Sequence, residues 1–195
     1  MKIKRTPLIL IVIATVVVIA ILFLPNPNMS ISDIEQNPDA WLTEYTKPDD
    51  PAVIANLEHI ITPDGVLSIK DVYDIQEWVG GNIRYISADP VYPSETLKRG
   101  EGNCWSQASL MYSLVLAEDP DADSYIALID VTAEGSAYTH CSVITHFDDE
   151  VIISDTTIGP TISTYCILDD LNSATRRIVD GTNVDTYIIK KEISL

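Results

Sequence analysis

The chain of 195 residues is poor in basic side chains, with 12 Lys and Arg against 29 Asp and Glu and a net charge of −17. Three of those bases (Lys2, Lys4 and Arg5) precede the first apolar run, so the remainder of the chain holds nine bases against all the acids. Such a body repels phosphates and anionic lipid headgroups. That excludes binding to nucleic acid, or to a membrane surface, through a basic face. Metal-ligand spacings are missing as well. There is no Cys-x-x-Cys or His-Glu-x-x-His, and His59 stands far in sequence from the other candidate ligands, so neither a metal nor a cofactor is expected. Internal repeats and low-complexity tracts are absent. Only three cysteines occur, and an odd count excludes a fully paired disulfide framework.

What is present begins with one long hydrophobic run, LILIVIATVVVIAILFL, from Leu8 to Leu24. It carries no charge and lies between MKIKR and Pro25-Asn26-Pro27. Seventeen residues at about 1.5 Å each nearly cross a bilayer core. No small-x-small cleavage site follows, so the run reads as an uncleaved anchor rather than a removed signal. By the positive-inside rule, residues 1–6 form a cytoplasmic basic tail, 7–24 a single transmembrane helix, and the rest lies outside the cell. Residues 25–50 hold Pro25, Pro27, Pro38 and Pro48 among polar side chains, with Trp41, Leu42 and Tyr45 as the apolar group. This pattern reads as an extracytoplasmic stalk with a short docking segment, ahead of a domain over 51–195.

Within that domain, Pro51 opens a helix that Pro63-Asp64-Gly65 ends. Ser68 with Asp71 makes a capping-box start for a second helix, whose stripe is Ile69, Val72, Ile75, Trp78 and Val79 and which Gly80-Gly81 stops. A short strand is expected over Ile83 to Ser87. A proline-rich loop follows to Gly102, with one helical turn near Ser94 to Leu97. Cys104, Ala108, Met111 and Val115 recur at helical spacing, predicting a helix to about Ala117 with the cysteine in its first turn. The pattern then turns to strands over 124–131, 139–147 and 151–156, the last two a hairpin, with a short helix over 169–177 and a final strand over 186–192. The fold class is α+β: helices, including the one that begins at the cysteine, packed on an antiparallel sheet.

Three residues in this frame carry chemistry. Cys104 sits in Gly102-Asn103-Cys104-Trp105, where a helix N-terminus favours a thiolate and its unpaired amides can donate to a developing oxyanion. Gly102 leaves room for a substrate backbone to approach. A small buried hydrophobe at a helix start is the alternative for Cys104. On the hairpin, His140, Ser142, Ile144 and His146 share one face and Cys141, Val143 and Thr145 the other. A two-residue loop sets Phe147 opposite Glu150 and Asp155 opposite Ser142, which brings Asp155 within reach of His140. A thiol, an imidazole and a carboxylate are the nucleophile, the base and the orienter of acyl transfer. His146, nearer the hairpin tip, reads as a solvated surface residue, and His59 as a partly buried helix residue. Pairing of Cys141 with Cys166 would leave Cys104 free, but spacing alone does not establish disulfide geometry, and three buried reduced cysteines are the favoured reading.

These residues carry a resemblance. Trp78 with Ile83-Arg84-Tyr85, then Pro93 through Trp105, Thr139-His140, and Ile153-Ser154-Asp155-Thr156-Thr157 follow in the order found in transglutaminase-like domains. The separations are 36 residues from Cys104 to His140 and 15 from His140 to Asp155. The stretch from about Val53 to Pro160 is similar to that superfamily, whose core is the papain-related Cys-His-Asp fold. The resemblance implies Cys104 as nucleophile, His140 as general base and acid, and Asp155 as its orienter. Thr156 stands where a proline often follows the family's aspartate. No calcium loop is recognisable and there is no room for additional β domains, so calcium-activated cross-linking is not implied. The expectation is a membrane-anchored thiol enzyme that cleaves amide or isopeptide bonds of a protein, peptide or cell-envelope substrate, with hydrolysis preferred over amine transfer. The alternatives are a catalytically silent protein- or peptide-binding domain and an accessory domain of a membrane complex.

Overall fold

The computed structural model describes residues 29–133, 135–148, 150–157, 164–166 and 185–195. Among the described residues, six helices and seven strands follow in order. They are α1 Ile31–Gln36, α2 Pro38–Tyr45, α3 Pro51–Ile60, α4 Ile69–Asn82, β1 Arg84–Tyr85, α5 Pro93–Arg99, β2 Glu101–Gly102, α6 Cys104–Glu118, β3 Ser124–Ala133, β4 Ser136–Phe147, β5 Glu150–Ser154, β6 Thr164–Cys166 and β7 Thr186–Ile193. The expected helix over 169–177 and the apolar run over 8–24 lie outside the described residues. Among the described residues no helix is long and apolar enough to cross a membrane.

Helix α6 organises the body. It starts because the Asn103 side chain accepts the Ser106 N–H at 2.9 Å, an N-cap that satisfies one of the first turn's orphan donors. It ends at Asp119, which precedes Pro120 and is therefore biased away from helical backbone. Its neighbours are α3, α4 and α5 on one side and β3 and β4 on the other. Nearly every residue is consequently buried, Ser106, Gln107, Ser109 and Ser113 included. A helix enclosed all round needs no single apolar stripe, so the four-residue stripe through Cys104 describes only part of its packed surface. The polar residues are absorbed by hydrogen bonds. Ser109 Oγ donates to the Tyr45 carbonyl at 2.6 Å and Ser113 Oγ to the Ser109 carbonyl at 2.7 Å.

Beneath it lies a five-stranded sheet in the order β6-β5-β4-β3-β7, with every neighbour antiparallel. Alternate residues face α6: Ile126, Leu128, Cys141, Val143 and Ile152 join the helical core, while Ala127, Ile129, Ile144 and Ile153 form a second apolar cluster on the reverse face. The hairpin register is the expected one, with Phe147 opposite Glu150 and Val143 opposite Ser154.

Two expectations are corrected here. Residues 31–45 are not a stalk. They form α1 and α2, with Ile34, Trp41, Leu42 and Tyr45 fully buried. Trp41 meets Trp105 edge to face at 5.0 Å and Tyr45 stacks on Tyr92 at 4.6 Å. Residues 31–45 thus belong to the folded body, because three large side chains in eight residues bury more surface than a linker can leave in water. Likewise Gly80-Gly81 does not stop α4, which continues to Asn82. The capping box of Ser68 and Asp71 and the buried Val72, Ile75 and Val79 outweigh a cost of about 1 kcal/mol per glycine.

Candidate active site

The thiol is delivered by α6 and the imidazole and carboxylate by the β4–β5 hairpin. Cys104 is the first residue of α6 and is 8% exposed. Asn103 holds that end in place from both sides, since its amide also donates to the Ala88 carbonyl at 2.8 Å. His140 and Asp155 are 4% and 2% exposed. His140 Nε2 lies 2.6 Å from Asp155 Oδ2, which leaves Nδ1 as the ring nitrogen for the sulfur, and Cys104 and His140 are hydrogen-bonded side chain to side chain. The structure brings Cys104, His140 and Asp155 together.

The acid is held by more than the base. Ser142 Oγ donates to Asp155 Oδ2 at 2.9 Å, and Thr157 donates its N–H and its hydroxyl to Oδ1 at 3.1 and 3.0 Å. The Thr157 contact is an Asx-type turn, in which an aspartate binds the backbone two residues on. It replaces the strand: β5 ends at Ser154, one residue before the acid. Register alone sets Ser142 opposite Asp155, and Asp-Thr-Thr is the local signal for the turn. Neither residue stands out as functional in the sequence.

Cys141 is a further partner. Consecutive strand residues point to opposite faces, yet Cys104 is hydrogen-bonded to both His140 and Cys141. The pairing of β4 with β5 stops at Val143 opposite Ser154. Past that point Asp155 and Thr157 meet Ser142 and His140 through side chains. Cys104 and Cys141 are free thiols, so the Cys141–Cys166 disulfide that the sequence allows is not formed.

The charges follow from these contacts. The Cys141 hydrogen bond is the largest influence on Cys104; with the hydrogen bond and charge of His140 it overcomes burial and brings the thiol down to about 5. Burial opposes charge on His140, but the Asp155 carboxylate and the Cys104 sulfur raise the imidazole. Burial likewise opposes charge on Asp155, and His140, Ser142 and Thr157 hold it down at about 2. Cys141 is pushed well up, first by burial and then by Cys104, so it stays protonated and donates. These directions favour a thiolate and an imidazolium beside a carboxylate.

The remaining sequence candidates lie elsewhere. His59 is exposed on α3. His146 is half-buried with its Nε2 3.2 Å from the Tyr125 hydroxyl, not a freely solvated side chain. Gly102 does not receive a substrate backbone. A Cβ there would meet Ser106 Cβ at 2.8 Å and Thr96 Cγ2 at 3.3 Å, so the glycine permits α5 and α6 to approach each other. Among the described residues no cluster of His, Cys, Asp and Glu is arranged to hold a metal.

No family model matches the chain, and no curated protein matches it in sequence. Among solved structures, a Cytophaga hutchinsonii protein provisionally described as a cysteine protease is similar over 67% of this chain and 45% of its own, with a TM-score of 0.50 and 16% identity. The chain thus spans less than half of that neighbour's length. At this identity the likeness concerns the fold: a mixed α/β body with an antiparallel sheet, consistent with the papain-like class.

Proposed function

We propose that the protein is a cysteine-dependent acyl-transfer enzyme of the transglutaminase-like type, acting on amide or isopeptide bonds with water as the preferred acceptor. The observation that carries this reading is the buried Cys104, His140 and Asp155 constellation, in which His140 Nε2 lies 2.6 Å from Asp155 Oδ2 and the surroundings of Cys104 lower its thiol. The Cys104 thiolate attacks the carbonyl carbon, and the oxyanion is met by N–H groups of the first turn of α6, which have no intrahelical partner. The His140 imidazolium gives its proton to the departing amine as the C–N bond breaks, leaving an acyl-Cys104 thioester. Neutral His140 then takes a proton from water as it adds to the thioester, and collapse releases the acid and restores the ion pair. Asp155 holds the ring throughout and does not itself take up the proton.

A catalytically silent domain that binds a peptide in the same place is the second reading, favoured by the low exposure of the sulfur. Alkylation by iodoacetamide, followed by peptide mass spectrometry, separates the two. Cys104 reacting at pH 6 at least tenfold faster than glutathione supports the enzyme, and a rate equal to that of glutathione or slower supports the silent domain.

The anchor belongs to the same proposal. The basic start and the run over 8–24 support a single-pass protein with its N-terminus in the cytoplasm and its thiol site outside, facing protein or envelope substrates. Recovery of the full chain in the alkali-washed membrane pellet, with Cys104 labelled in intact cells by a membrane-impermeant maleimide, is the expected result. Recovery in the soluble fraction would overturn it.

A further inference from the structure

Two large aromatic residues, placed by the backbone beside Cys104 and His140, belong to neither apolar core. Tyr85 is 52% and Tyr138 48% exposed, so packing does not account for them. The backbone places both. In the short parallel ladder of β1 and β2, Tyr85 is the partner of Gly102, two residues before Cys104. That register is locked by Arg84 N–H to the Gly100 carbonyl at 2.9 Å and Ile86 N–H to the Gly102 carbonyl at 3.1 Å. Tyr138 precedes His140 by two residues on β4 and so shares its face, its ring edge-on to the imidazole at 6.4 Å. One tyrosine flanks the nucleophile and the other the base. Partial burial raises both hydroxyls, and the charge at Cys104 adds to each, as it does for groups close enough to feel the sulfur.

Resting on the thiol-enzyme reading above, we propose that Tyr85 and Tyr138 are the walls of a substrate-binding mouth at Cys104, selecting substrates with a flat, uncharged or cationic group beside the reacting carbonyl. Tyrosine rings offer flat faces to planar groups and a negative face to cations. A carboxylate in the same place meets the site's thiolate and a chain of net charge −17, which disfavours it.

The test uses the full chain and four chloroacetamides, the N-propyl, N-phenethyl, 4-carboxyphenethyl and 4-(aminomethyl)phenethyl compounds, each rate divided by that with glutathione. The Cys104 thiolate displaces chloride, forming the S–C bond as the C–Cl bond breaks, so the readout needs no knowledge of the natural acceptor. The expected result is a phenethyl-to-propyl ratio of about ten, comparable to one stacked aromatic contact. The aminomethyl compound should match or exceed phenethyl, and the carboxy compound fall below it. The phenethyl ratio should fall towards one in Tyr85→Ala and Tyr138→Ala and be retained in Tyr85→Phe and Tyr138→Phe. Tyr85→Leu and Tyr138→Leu, which keep apolar bulk without a flat face, serve if an alanine variant loses its near-UV dichroism. A wild-type ratio of one, or a ratio untouched by both truncations, overturns the mouth. An N-propyl rate no faster than that of glutathione instead overturns the thiol-enzyme reading, so the two failures are distinct.

Discussion

Cys141, next to His140 on β4, is the neighbour that lowers the Cys104 thiol most, through side-chain hydrogen bonding that Cys141, kept protonated by burial, supplies. Two adjacent residues of β4 therefore act on one atom, one as a neutral donor and the other as a cation. A hydrogen bond to a charged group is worth about 1.5–3 kcal/mol, or about one to two pH units. Replacing Cys141 with alanine should shift the Cys104 alkylation midpoint upward by about that much, read from iodoacetamide rates between pH 4 and 9. An unmoved midpoint would mean that the donor is not engaged.

The wild-type profile follows from the same contacts. With its thiol at about 5, Cys104 should alkylate at a nearly constant rate from pH 6 to 8 and lose reactivity as the pH falls through 5. In His140→Ala the midpoint should rise towards the ordinary thiol value of about 8.5. Identical profiles for the two proteins would remove the ion pair.

Asp155→Asn keeps the shape of the acid and removes its charge. Loss of that charge lowers the imidazole and frees its orientation, so amide or ester turnover should drop by about 10³-fold or more. Stability carries a second readout. Because the carboxyl is depressed to about 2, its contribution is present above its ordinary value near 4 and is lost as pH falls from there through 2. His140, which is raised, contributes fully below its ordinary value near 6.5 and loses that contribution as pH rises beyond it. Scanning calorimetry should give the largest Tm gap between wild type and Asp155→Asn at pH 4 to 6.5, shrinking towards pH 2. A gap that does not change with pH would place the acid outside the charged pair.

Gly102→Ala should destabilise by about 1–3 kcal/mol through overpacking between α5 and α6, which is several degrees of Tm. The same substitution should slow alkylation of Cys104 by pushing the helix start off its seat. An unchanged Tm would show that Ser106 and Thr96 give way freely.

Removing residues 1–46 should abolish cooperative unfolding, because Trp41, Leu42 and Tyr45 leave with them and Trp105 loses its edge-to-face partner. The single change Trp41→Ala should cost about 3–5 kcal/mol. A fragment beginning at residue 51 with an intact near-UV spectrum would restore the docking-segment view.

The chemistry-bearing frame is more legible in the sequence than its boundaries. Helical spacing from Cys104 puts the sulfur in a first turn, and the two-residue hairpin loop, counted back from Phe147, sets Ser154 opposite Val143 and leaves the next residue, Asp155, within hydrogen-bond reach of Ser142. Periodicity and register are local properties, and both survive folding unchanged. Trp41, Leu42 and Tyr45 escape such a reading because the prolines around them resemble a linker, whereas Pro38 occupies the first position of α2, where its missing N–H costs nothing. Cys141 is hidden for a different reason: strand alternation assigns it to the face away from His140, whereas in the fold both residues act on Cys104.

Because the β4–β5 ladder runs from Phe147 opposite Glu150 to Val143 opposite Ser154, it delivers His140 and Asp155 just past its far end, away from the turn that joins the strands. His146, beside that turn, lies six residues from His140, roughly 20 Å away at strand rise. Residues spliced in beyond Phe147 would extend the arm without rotating either side chain, whereas one inserted between His140 and Phe147 would invert the imidazole. The apex is therefore a natural place to graft a fluorophore or affinity epitope that reports on the protein without disturbing the thiol site.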